Sequence, residues 1–176
     1  MSTTENKSIL VEQRADPFVY KHTDGYYYFT GSVPSYDFIE LRRAKSIKEL
    51  QQAETYSIWQ KHETGPMSQH IWAPELHYLD GKWYIYFAAS EVDDIWKLRP
   101  YVLECKGQDP INDEWIELGQ MQAAEGDFKT FIDFSLDGTV FENHGKIYFC
   151  WAENTGCQFA ASNFYLAEME SPIKLK

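Results

Sequence analysis

Two aspartates are set in short motifs where a carboxylate could do chemistry: Asp16, in Ala15-Asp16-Pro17-Phe18, and Asp137, in Leu136-Asp137-Gly138-Thr139-Val140-Phe141. They are far apart in the chain but fall at the same place in a repeated pattern. Carboxyl groups held on two sides of one pocket can perform acid–base chemistry, one giving a proton to a leaving oxygen while the other takes one from water. Cleavage of a glycosidic acetal uses such a pair, set roughly 6.5–9.5 Å apart where water attacks directly. A third carboxylate nearby raises the acid's pKa by like-charge repulsion and helps to hold it.

The elements that must position these groups are strands. Residues 15–20 lead through Asp24-Gly25 to 26–32, residues 72–78 through Asp80-Gly81 to 82–90, and residues 136–141 through His144-Gly145 to 146–152. Each reads as strand, tight turn, strand, because Asp-Gly and His-Gly supply the positive φ that a short hairpin needs. Third strands are predicted at 38–41, 99–103 and 163–167, with outer strands at 57–59 and 114–118 and a helical turn at 46–50. The turn glycines recur about every 60 residues, a period suited to sheet-bladed repeats. The pattern predicts an all-β fold of the β-propeller kind with about three four-stranded blades, beginning near residues 15, 72 and 136. Residues 1–14 form a leading segment and 15–176 a partial propeller. An all-β sandwich is the alternative. Aligned on their turns, with one extra residue in the first, the repeats place Asp16, Ala73 and Asp137 at equivalent starts. Two of the three starts would then aim a carboxylate at one central pocket.

Composition narrows the partners. Of 176 residues, 44% are hydrophobic, enough for the core of one ordinary domain. The 6 Trp, 12 Tyr and 11 Phe suit sheets and sugar-binding faces. A net charge of −11 argues against nucleic-acid backbones and anionic membranes but is compatible with neutral oligosaccharides. Residues 1–8 are polar with no apolar run behind them, which sets the expectation of a cytoplasmic protein. Cys105, Cys150 and Cys157 are odd in number and form no Cys-x-x-Cys pair, so free thiols are expected. His62, His70 and His77 lack a convincing partner ligand, and neither a metal nor another cofactor is expected.

With these motifs in place, the chain resembles glycoside hydrolase family 43. Ala-Asp-Pro-Phe near the start, Ile-Trp-Ala-Pro-Glu in the second repeat and Asp-Gly-Thr-Val-Phe in the third carry the resemblance, in order and spacing, from Ala15 onward. That family holds arabinofuranosidases, xylosidases and arabinanases on five-bladed propellers and inverts anomeric configuration. The resemblance implies that Asp16 is the general base and Asp137 the aspartate that modulates and orients the acid. It implies an apolar face for a sugar ring at Trp72 and a hydroxyl acceptor at Glu75, with arabinofuranose the expected sugar. Each residue also has a plainer reading: Asp16-Pro17 and Asp137-Gly138 as turns, Trp72 as packing between blades.

The sequence also departs from the family pattern. The family's proton donor is a glutamate opening the fourth blade, expected beyond about residue 190 from the repeat spacing. Glu142, Glu153, Glu168 and Glu170 do not stand at a repeat start. A family-type calcium site, with its late histidine, would lie in the missing blades. Three blades leave two strand-rich faces uncovered, so self-association or a complementary fragment is expected, and little turnover by the chain alone. Residues 171–176 read as a link to a further blade. The competing function is a non-catalytic carbohydrate-binding pseudoenzyme. A protein-interaction propeller lacks its Trp-Asp or kelch signatures here, and an invertase-like enzyme its Asn-Asp-Pro-Asn-Gly motif.

Overall fold

The structure, a computed structural model, describes residues 9–154 and 162–176. It consists of three separate four-stranded antiparallel sheets, each running up and down in chain order. The first holds β1 (Ala15–Lys21), β2 (Tyr27–Ser32), β3 (Phe38–Ala44) and β4 (Tyr56–Gln60). The second holds β5 (Gln69–Leu79), β6 (Lys82–Glu91), β7 (Asp94–Cys105) and β8 (Trp115–Gln120). The third holds β9 (Phe134–Asn143), β10 (Lys146–Asn154), β11 (Asn163–Ser171) and β12 (Lys174–Leu175). Separate sheets stacked face to face in sequence are propeller blades, not the two layers of a sandwich.

The hairpins close as their turn residues dictate. Asp80 and Gly81 both have positive φ, and so do His144 and Gly145, the pairing a two-residue turn between twisted strands requires. The expected helical turn is a short 3₁₀ turn, Lys48–Gln51. Residues 171–176 differ from expectation. They are not a bare link, because Lys174–Leu175 pairs with β11 as the third blade's fourth strand and bonds back to Gln122.

The core lies between blades. Phe18, Tyr20, Tyr28, Ile39 and Leu41 of blade 1 meet Leu76, Trp83, Ile85, Phe87 and Leu103 of blade 2. On its other face blade 2 presents Tyr84, Tyr86 and Val102 to Val140, Phe149, Trp151 and Met169 of blade 3. This explains why β6 is buried from Trp83 to Ser90 without a break: alternate side chains face different neighbours, and both neighbours are present. Each fully buried large side chain contributes roughly 1.5–3 kcal/mol. The far face of blade 1 is partly covered by its own lead-in, where Leu10 and Val11 pack with Phe29, Ala44 and Leu50. On the far face of blade 3, Phe141, Phe164 and Leu166 are exposed.

Cys105 and Cys150 are free and buried, and burial pushes both thiols up in pKa. Cys157 lies outside the described residues.

Candidate active site

Each blade's inner strand carries the same irregularity. Asp16-Pro17 stand opposite Gly31, Ala73-Pro74 opposite Phe87, and Asp137-Gly138 opposite Trp151, two residues facing one in every case. The first residue of each pair is left-handed, with φ of 48° at Asp16, 45° at Ala73 and 53° at Asp137. A bulge of this kind bends the strand and re-aims the side chain at its apex. Aspartate tolerates the left-handed region better than most residues. Gly138 is required by packing, because a Cβ there would lie 2.4 Å from the buried Phe149 ring.

Buried polar groups hold these bulges in place. The Ser32 hydroxyl donates to Asp16 Oδ2 at 2.8 Å and accepts the Ala73 N–H at 2.7 Å. Ser32 is 2% exposed, so one hydroxyl ties the carboxylate of blade 1 to the equivalent bulge of blade 2. Two residues before Asp16, Arg14 grips the fully buried Glu40 with a forked pair of bonds at 3.0 and 2.8 Å. Arg42 adds a third contact at 3.4 Å. On blade 2, the buried Arg99 donates to the carbonyls of Ile132 and Asp133, which fixes the chain just before β9 brings in Asp137.

The carboxyl groups of Asp16 and Glu75 act on that of Asp137. The Asp137 carboxyl is raised in pKa, first by loss of hydration and then by the carboxylates of Asp16 and Glu75. Asp16 and Asp137 are both exposed, and Glu75 is half-buried. Glu75 Oε2 lies 3.0 Å from His77 Nε2, and His77 is buried against the rings of Phe18 and Tyr86. Trp72 adjoins the Ala73 bulge, with Tyr36 of blade 1 on one side and His70 on the other. Among the predicted site residues, Asp137 is therefore within electrostatic reach of Asp16 and of Glu75, and Trp72 directly precedes the Ala73 bulge. No three His, Cys, Asp or Glu side chains among the described residues come together as a cation-binding set.

Sequence reasoning missed the groups that support the carboxylates: Ser32, Glu40, His77 and Arg99. For Ser32 a signal existed. Phe29-Thr30-Gly31-Ser32 and Phe87-Ala88-Ala89-Ser90 both set a buried serine at or next to the end of a second strand. Ser90 likewise bonds its own blade's start, through the Gln69 carbonyl at 3.3 Å.

Stacked four-stranded antiparallel blades, each joined in chain order, define part of a β-propeller. The model of glycosyl hydrolases family 43 matches residues 6–176, and the chain belongs to that family. It is 45% identical to extracellular exo-α-(1→5)-L-arabinofuranosidases of Streptomyces avermitilis and Streptomyces chartreusis. The matches cover 93% and 94% of this chain but 33% and 49% of those proteins. The crystal structure of an α-L-arabinofuranosidase from Lactobacillus brevis superposes with a TM-score of 0.86 at 49% identity, over 95% of this chain and 52% of that one. The three blades thus correspond to about half of a five-bladed propeller, and the chain spans a third to a half of these relatives.

The expectation of a cytoplasmic protein is corrected. Both Streptomyces relatives are named as extracellular, which points to secretion. The polar character of residues 1–8 reports only on those residues, and composition within a domain does not record its compartment.

Proposed function

We propose that these residues supply the water-activating half of an inverting α-L-arabinofuranosidase site. The observation that carries this reading is the placement of Asp16 and Asp137 at equivalent left-handed bulges of two inner strands, with Asp137 sensing the carboxylates of Asp16 and Glu75. Asp16, fixed by Ser32, takes a proton from water as its oxygen bonds to the anomeric carbon. The glycosidic C–O bond breaks on the opposite side, and the departing oxygen gains its proton from a glutamic acid outside these 176 residues. Asp137 keeps that acid protonated by repulsion and orients it. Glu75, steadied by His77, accepts a sugar hydroxyl, and Trp72 offers a ring face. The substrate is an α-(1→5)-linked L-arabinofuranosyl oligosaccharide, the linkage for which the two Streptomyces relatives are named. The exposed Phe141, Phe164 and Leu166 support a complementary sheet against blade 3, from further blades or another chain.

Calorimetry with α-(1→5)-arabinobiose and an assay with 4-nitrophenyl α-L-arabinofuranoside test this on the chain as it stands. Binding without strong turnover is expected, with Asp16→Ala or Asp137→Ala weakening the binding several-fold. Strong turnover by the pure chain, or binding indifferent to both substitutions, would overturn the proposal.

A further inference from the structure

We infer that the same end of blades 1 and 2 carries an extended sugar-binding track, formed by Tyr36, Trp72, His70 and Trp96, that holds the chain of an oligosaccharide beyond the residue being cleaved. The inference rests on the proposed function and deepens it.

The placement follows from topology. β5 begins at the carboxylate end and runs away from it, β6 returns, and the β6–β7 hairpin therefore projects at that same end. Trp96 sits on this hairpin and is 53% exposed. From blade 1 outward along blade 2, successive ring centroids lie 5.6 Å (Tyr36 to Trp72), 4.5 Å (Trp72 to His70) and 5.7 Å (His70 to Trp96) apart. The rings are tilted to one another by 72°, 31° and 44°, so they form a curved wall and not a collapsed stack.

The wall is built deliberately. His70 is left-handed, with φ of 52°, at a second bulge of β5 where His70-Ile71 stand opposite Ala89. Its Nδ1 lies 2.8 Å from the Ile95 carbonyl, an acceptor only, so Nδ1 carries the proton. Nε2 is then the ring's remaining polar atom, suited to hydrogen-bond with a sugar hydroxyl, which both donates and accepts. A half-exposed tryptophan braced by a histidine whose backbone is strained is not explained by core packing. A row of aromatic rings carrying a polar ring nitrogen favours a neutral carbohydrate, whose apolar ring face and hydroxyls match both, and a chain of net charge −11 does not repel it.

The test compares two probes by calorimetry, methyl α-L-arabinofuranoside and α-(1→5)-arabinotetraose, on the intact chain. Trp96→Ala should weaken tetraose binding about tenfold, equivalent to roughly 1.4 kcal/mol. It should leave the monosaccharide unchanged, and Trp96→Tyr should restore most of the loss. Phe128→Ala, at another exposed aromatic, should change neither. Tetraose binding unaffected by Trp96→Ala overturns the track, as does equal loss on both probes or an equal effect of Phe128→Ala. Monosaccharide binding that responds to Asp16→Ala, without any gain for the tetraose, overturns the track while leaving the carboxylate site standing. Wild-type chain that binds neither probe overturns both.

Discussion

Ser32→Ala isolates what a single buried hydroxyl does for the site. The hydroxyl accepts the Ala73 N–H at 2.7 Å and donates to Asp16 at 2.8 Å, and Ser32 is almost completely buried. The substitution removes both bonds and leaves the N–H of the buried Ala73 without its partner. An orphaned buried N–H costs about 1–3 kcal/mol. The bond to Asp16 adds less, because that carboxylate is exposed and its charge is screened. A total of about 2–3 kcal/mol is expected, which for a chain of this size lowers the thermal midpoint by roughly 4–12 °C. The assay is reversible urea unfolding followed by tryptophan fluorescence, with the thermal midpoint from calorimetry beside it. Repeating Ser32→Ala in an Asp16→Asn background removes the charged share of the bond to residue 16, since asparagine keeps the left-handed backbone and an acceptor oxygen while discarding the charge. At least about 1 kcal/mol of the loss should persist there, because the Ala73 N–H is still orphaned. A loss below about 0.5 kcal/mol in the wild-type background would refute the reasoning, being no more than an ordinary surface substitution gives. A loss that vanishes in the Asp16→Asn background would refute the assignment of the larger share to the N–H.

Two other substitutions test neighbouring parts of the site. Asp137 is raised in pKa in the folded chain, so its ionisation opposes folding, and stability falls as pH rises from the ordinary aspartate range through the folded value. Asp137→Asn should therefore be more stable than the parent at pH 7, by a difference that shrinks towards zero as both forms are unfolded in urea at pH below about 3.9. A variant less stable than the parent at neutral pH would contradict the stated origin of the shift. Gly138→Ala places a methyl group 2.4 Å from the buried Phe149 ring and should cost about 1–3 kcal/mol by overpacking, read from the urea midpoint. An unchanged midpoint would mean that Phe149 can move aside.

The blade hairpins were legible because their signals are local. Asp80-Gly81 and His144-Gly145 fix a turn without reference to anything distant, and the flanking Tyr, Trp, Ile and Phe alternate as strands do. The expected strand at 99–103 proved to be the inner part of a longer one, Asp94–Cys105, because its first four residues project into solvent and lack a buried side to set a pattern. β12 was missed because two residues after Pro172 carry no periodicity; their pairing is decided by β11 and Gln122. The equivalent positions of Asp16 and Asp137 were legible through the repeat, but the buried Ser32, Glu40 and Arg99 were not. Each is a polar residue inside an apolar strand, and its partner comes from a different strand or blade.

The three bulges separate what the fold demands from what the chemistry demands. If the left-handed residue existed only to aim a carboxylate, blade 2 would have no reason to retain it. Yet Ala73 adopts φ of 45° with no carboxyl to present, and an alanine gains nothing from local side-chain bonding in that region. The bulge is therefore first a device of the blade: it bends the inner strand near the channel and frees a backbone N–H, which Ser32 captures at Ala73. The strained position exists in every blade, and aspartate fills it at modest cost where a carboxylate is wanted. Carboxyl groups set on such rigid, equivalent bends approach one another without a flexible loop, and the charges of Asp16 and Glu75 add to the loss of hydration that raises Asp137. Placing an aspartate at Ala73 would add another charge to the same centre. The expected result of Ala73→Asp is a lower urea midpoint at neutral pH that recovers on acidification, and a loss independent of pH would show that the three bulges do not face one pocket.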